Sequence, residues 1–152
     1  LNLPAAAIPN SICFDHAGTR MYFCDSIEPR ILSCRYNSET ATVDEVSVFV
    51  ELDVEDASPD GSIIDTEGAL WNAQWGAGRV VRYLPDGRID RIVRLAAPQP
   101  SCIALRDDTL YITTARIDLS TSVLAKFPGS GGIFLHRTGQ ALGRGEDRVA
   151  LP

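Results

Sequence analysis

The sequence predicts an all-β chain assembled from repeated units of about four strands each. Three observations predict it. Short runs rich in Val and Ile alternate with polar residues and are broken by Gly, Pro and Asp. Helical periodicity is nowhere sustained over the ~11 residues that an amphipathic helix needs. One segment pattern also recurs three times in order along the chain.

The first copy is "PNSICFDHAGTRMYFCDS" at 9–26, the second "PDGSIIDTEGALWNAQWG" at 59–76, and the third "PSCIALRDDTLYITTAR" at 100–116. Each opens on Pro and a small polar residue: Asn10, Asp60 and Ser101. Each continues with a short apolar strand, turns through polar residues, and resumes with a strand carrying an aromatic. Third strands follow at 30–36, 79–84 and 132–137. Fourth strands follow at 45–50 and 88–95, and "DRVALP" is a weaker third candidate. "LPDGR" between the last two strands of the second unit is a hairpin signal centred on Asp86-Gly87. Pro59-Asp60-Gly61 reads locally as turn chemistry too.

Four strands in about 40–50 residues is the spacing of β-propeller blades. The expectation is a single domain over 1–152, a partial propeller with blades at approximately 9–50, 59–95 and 100–150. A β-sandwich with similar hairpins is the alternative. In a propeller the first strand of each blade lines the central channel. Asn10, Asp60 and Ser101 would then converge on the axis. Their oxygens could hold a hard cation or only terminate strands by hydrogen bonding to backbone. The pattern leaves both open.

Composition narrows the function classes. The formal net charge of −6 and pI near 4.8 provide nothing to neutralise phosphates, so no nucleic-acid partner is expected. No apolar run approaches the ~18 residues of a membrane span, and no signal-peptide pattern is visible. Cys13, Cys24, Cys34 and Cys102 have no C-x-x-C spacing and only His16 and His136 accompany them, which argues against structural zinc. Cys13, Cys24 and Cys102 sit in or beside apolar runs and read as buried thiols, suiting a reducing, cytoplasmic location.

Four stretches carry a resemblance: "IPNSICFDHAGTRMYFCDS", "SPDGSIIDTEGALWNAQWGAGRVVRYLPDGR", "PQPSCIAL…LYITTAR" and "GGIF". They resemble the senescence marker protein / gluconolactonase / luciferin-regenerating enzyme-like family, which includes regucalcin, and match its C-terminal half. The resemblance implies a six-bladed β-propeller with one divalent cation in the channel and hydrolysis of sugar lactones. It implies Ca²⁺ as the first choice, with Zn²⁺, Mg²⁺ and Mn²⁺ as alternatives. It implies Asn10 and Asp60 as metal ligands and Asp60 also as general base; Ser101 matches a small polar position without an assigned role. The base role needs one Asp60 oxygen free of the metal, since a bound cation lowers basicity.

Family members run to roughly twice this length, as six blades require. The chain is therefore expected to be part of a longer polypeptide, with the N-terminal half of the propeller missing, or a half-ring that pairs with another chain. A non-catalytic cation-binding regulatory propeller and an interaction scaffold are the rival functions. Asn72 departs from the small apolar residue usual after Leu-Trp. It is expected to face another turn and be satisfied there, or to add a polar group near the channel. Trp71 and Trp75 belong to a motif expected near the channel. Segment 117–131 reads as a long loop on one face.

Overall fold

The computed structural model describes residues 3–145. Eleven strands and one short helix form three antiparallel sheets. The first contains β1 (Pro9–Phe14), β2 (Arg20–Asp25), β3 (Arg30–Asn37) and β4 (Thr42–Glu51), in that order. The second contains β5 (Ser58–Ile64), β6 (Leu70–Trp75), β7 (Arg79–Tyr83) and β8 (Ile89–Arg94), again in chain order. The third pairs β9 (Pro100–Arg106), β10 (Thr109–Thr114) and β11 (Ile133–Arg137). Its fourth candidate strand, "DRVALP", lies outside the described residues. The 117–131 loop holds α1 (Thr121–Lys126), capped by the Ser120 side chain accepting from Val123 N–H. No helix among the described residues is long and apolar enough to cross a membrane.

Local chemistry explains the repeat. In the β1–β2 turn Asp15 accepts from the backbone N–H of Thr19 at 2.7 Å and of Arg20 at 3.0 Å. In the β5–β6 turn Asp65 accepts from Glu67 and Ala69 N–H, both at 3.0 Å. Both turns end on a glycine at positive φ, Gly18 and Gly68, as the D-x-x-G spacing requires. The Asp86-Gly87 hairpin closes as expected, with Leu84 N–H donating to Arg88 O at 2.8 Å.

The sheets stack face to face. Tyr22, Ile31 and Val50 of the first sheet pack against Ile64, Leu70, Val81 and Tyr83 of the second. Trp71, Val80 and Val93 pack on the other side against Ile103, Leu105, Leu110 and Ile112. Trp71 thus sits in the core between the second and third sheets. The inner strands of the central sheet are covered on both faces, and every residue of β7 is buried. Its polar side chains must therefore find partners inside. Arg82 meets Asp65 at 2.7 Å, Glu67 at 2.6 Å and Asp90 at 2.9 Å, and Trp71 Nε1 donates to the same Asp65 oxygen at 2.8 Å. Burial opposes the Arg82 charge, but the three carboxylates outweigh it and hold its pKa above the usual arginine value. Arg79 is likewise buried, donating to Gln74 at 2.7 Å and pairing with Asp53.

Stability should read this ion cluster directly. Asp65→Ala would leave Arg82 buried without its innermost partner and remove the Trp71 acceptor. It is expected to cost about 3–5 kcal/mol in denaturant unfolding. Glu67→Gln, at the solvent end of the same arginine, should cost under about 1 kcal/mol.

Candidate functional site

β5 packs between β1 on one side and β9 on the other. The starts of these strands carry Asn10, Asp60 and Ser101, the residues the repeat aligns. Pro59-Asp60-Gly61 is not a turn. It lies within β5, at an irregularity between Pro59 and Ser62, and β1 has a matching one between Asn10 and Cys13. Such bulges bend a strand and re-aim its side chains. Gly61 serves close approach: a Cβ there would stand 2.9 Å from Ser101 O and from Cys102 Cα and Sγ. Local turn chemistry was overridden by the need to pass one inner strand against the next.

Asn10 and the Asp60 segment join one polar cluster. Asn10 Nδ2 donates to Ser26 Oγ at 3.0 Å, and Ser26 Oγ donates to Pro59 O at 2.7 Å. This fixes the Asn10 amide, and among the described residues its Oδ1 accepts no hydrogen bond. Ser11 Oγ donates to Asp60 O at 2.5 Å. Asn72 Nδ2 reaches Asp60 O at 3.0 Å, Ser62 Oγ at 3.0 Å and Ser11 Oγ at 3.2 Å. Ser101 is placed differently. Its backbone touches Gly61, but its hydroxyl is engaged with Thr113 Oγ1 at 2.9 Å.

The Asp60 carboxylate is half-buried and forms no ion pair among the described residues. Desolvation raises its pKa, partly offset by a hydrogen bond from Gly61 N–H. Burial pushes the Cys24 thiol, which donates to Pro59 O, up to about 11 with help from the Asp60 charge, and the Cys13 thiol up to about 12. Cys13 is only partly buried, Cys24 is buried, and Cys102 is exposed. The expectation of three buried thiols fails at Cys102 because alternate β9 residues face away from the core.

The donor chemistry fits a hard divalent cation: an oriented amide and an unpaired carboxylate. Among the described residues no group of three His, Cys, Asp or Glu gathers as a metal cluster. Two side-chain oxygens fall short of the six to eight ligands that Ca²⁺ takes. Ser11, Ser26 and Ser62 were not singled out in the sequence. Ser11, just after Asn10, adopts φ 60°, a left-handed value that gives no sequence signal.

Residues 3–116 match the family model described as the SMP-30/Gluconolactonase/LRE-like region. The chain belongs to this family. An L-arabinolactonase from Azospirillum brasilense is 49% identical over 142 residues, 93% of this chain and 47% of the relative. A protein named putative sugar lactone lactonase from Rhizobium meliloti is 35% identical over 135 residues, 84% of this chain and 45% of the relative. A crystal structure of regucalcin from Agrobacterium tumefaciens, described as a calcium-binding protein, aligns with TM-score 0.86 and 32% identity, covering 96% of this chain and 50% of that one. The chain thus spans about half the length of the curated relatives it matches. The three stacked sheets are a partial propeller of the kind these relatives adopt.

The raised Asp60 pKa gives a signed expectation. The folded metal-free protein holds this proton more tightly than the unfolded chain does. Its ionisation therefore opposes folding increasingly as pH rises from the ordinary 3.8 through the raised folded value. Without metal, Asp60→Asn should match the parent in thermal stability below that window and exceed it above. Added divalent cation should then stabilise the parent and not the variant. Gly61→Ala should destabilise by about 1–3 kcal/mol, because the clash is with backbone that cannot rotate away.

Proposed function

We propose that this chain supplies the metal-holding part of a sugar-lactone hydrolase. The observation that carries the proposal is the half-buried Asp60 carboxylate, without an ion pair among the described residues, in a segment linked through Ser26 to the oriented amide of Asn10. Asn10 and Asp60 would be ligands of one divalent cation. Ca²⁺ is favoured by the all-oxygen donors and by the regucalcin neighbour described as calcium-binding. The relatives named L-arabinolactonase and sugar lactone lactonase support a sugar lactone as the small-molecule substrate. When bound, the cation supplies Lewis-acid polarisation of the lactone carbonyl.

The residues of this chain divide the remaining work. Asn10 offers a neutral oxygen whose direction is set by Ser26. Asp60 would place one oxygen on the cation and use the other to accept a proton from the attacking water. Burial raises the proton affinity of this carboxylate while the cation would lower it, and the two effects oppose. The ring is completed by complementary blades, from the same polypeptide or a second chain, and these bring the remaining ligands and substrate contacts. The four free cysteines suit a reducing compartment such as the cytoplasm.

A second reading, cation binding without catalysis, is favoured by one observation. Among the described residues, the titratable side chain bonded to the Asp60 segment is the Cys24 thiol, and burial favours its protonated form. Initial rates of lactone hydrolysis across a divalent-metal titration separate the readings, measured with the complementary blades present. Asp60→Asn should lower the rate by about a hundredfold or more, and excess metal should not restore it. Asn10→Ala should weaken metal affinity and be partly rescued by excess metal. Full rescue of Asp60→Asn would make Asp60 a ligand alone. Cation binding with no lactonase activity in the parent would select the second reading.

A further inference from the structure

Both peptide units that flank the Asp60 Cα are pinned. The preceding carbonyl, Pro59 O, accepts from Ser26 Oγ at 2.7 Å and from Cys24 Sγ at 3.4 Å. The following carbonyl, Asp60 O, accepts from Ser11 Oγ at 2.5 Å and Asn72 Nδ2 at 3.0 Å. Fixing both peptide planes fixes the direction of the Cα–Cβ bond, so that only the side-chain torsions of Asp60 remain free. Ser62 Oγ closes the group, 2.9 Å from Ser11 Oγ and 3.0 Å from Asn72 Nδ2.

The arrangement is costly as mere packing. Asn72 is 0% exposed, and its Oδ1 is buried without a hydrogen-bond partner. It stands in β6 opposite Val81 of β7 and two residues from Leu70, where an apolar side chain would serve the core. Ser11 holds φ 60°, a conformation that glycine adopts without strain. Orphaned polar atoms and backbone outliers at one spot point to a demand other than folding.

We propose that Asn72, acting with Ser11, is a positioning residue that aims the Asp60 carboxylate for cation binding. The inference rests on the reading of Asp60 as a metal ligand. Neither Asn72 nor Ser11 touches the ion. Both act through the Asp60 peptide, as groups behind a metal ligand commonly do.

The test is calorimetric titration of Ca²⁺ alone into the whole protein, paired with the melting temperature of the metal-free form. Asn72→Val should melt at the parental temperature or higher, yet bind Ca²⁺ about tenfold or more weakly. Ser11→Gly removes the hydroxyl and relieves the positive φ. It should also melt no lower and bind more weakly. Asp60→Asn, measured alongside, tests the underlying reading. If Asp60→Asn binds Ca²⁺ like the parent, Asp60 is not a ligand and the inference falls with that reading. If Asp60→Asn loses the ion while Asn72→Val keeps parental affinity, only the positioning role is overturned. Should Asn72→Val fold poorly, Ser11→Gly decides. Weaker binding in a variant at least as stable as the parent supports the role, and parental affinity overturns it.

Discussion

The structure depends on how closely its innermost strands approach one another. β5 runs between β1 and β9, and at Gly61 the gap leaves no room for a single methyl group. That contact holds the second sheet between its neighbours, which cover its inner strands on both faces. A sheet buried on both sides would ordinarily be read from a continuous apolar run. Here the strands carry Asn72, Gln74, Arg79 and Arg82, so the buried polar groups must be joined into closed networks. Arg82 achieves this with Asp65, Glu67 and Asp90, and Arg79 with Gln74 and Asp53.

The Asp60 carboxylate stands outside those ion-paired networks. The two flanking carbonyls, Pro59 O and Asp60 O, accept from serines and an asparagine, while among the described residues the carboxylate has no side-chain cation. The same fold that pairs Asp65 with Arg82 within the core gives Asp60 no ion pair among the described residues. The contrast is geometric. Asp65 follows β5 in a turn and meets Arg82 of the same sheet, whereas Asp60 lies within β5 at an irregularity whose backbone accepts from Ser11 of β1. The outer sheets differ from the central one in exposure among the described residues. The first sheet exposes Ile12, Phe14 and Val48, and the third exposes Tyr111, Ile133 and Leu135. Apolar exposure at both ends matches a chain that covers about half the length of its relatives.

Much of the fold was legible because its signals are local. The D-x-x-G turns at Asp15 and Asp65 and the hairpin at Asp86-Gly87 each lie within a few residues of the strands they connect. The alignment of Asn10 with Asp60 followed from the repeat, and the two residues stand near the starts of β1 and β5. What could not be read depends on contacts between distant segments. Pro-Asp-Gly has turn chemistry, and only the neighbouring strand keeps residues 59–61 extended. Asn72 was expected near a turn or the channel. It reaches back 61 positions to Ser11 and also bonds Asp60 O, contacts that no spacing rule encodes. Ser101 followed the repeat in its backbone, but Thr113 beside it took its hydroxyl. The helix at Thr121–Lys126 is too short for its period to register in the sequence.

The most direct measurement is the anomalous scattering of Mn²⁺ soaked into crystals of the whole protein. The expected result is one strong peak within bonding distance, about 2.0–2.6 Å, of both an Asp60 carboxylate oxygen and Asn10 Oδ1. The contradicting result is a bound ion that touches neither residue, with the Asp60 carboxylate satisfied by protein groups alone.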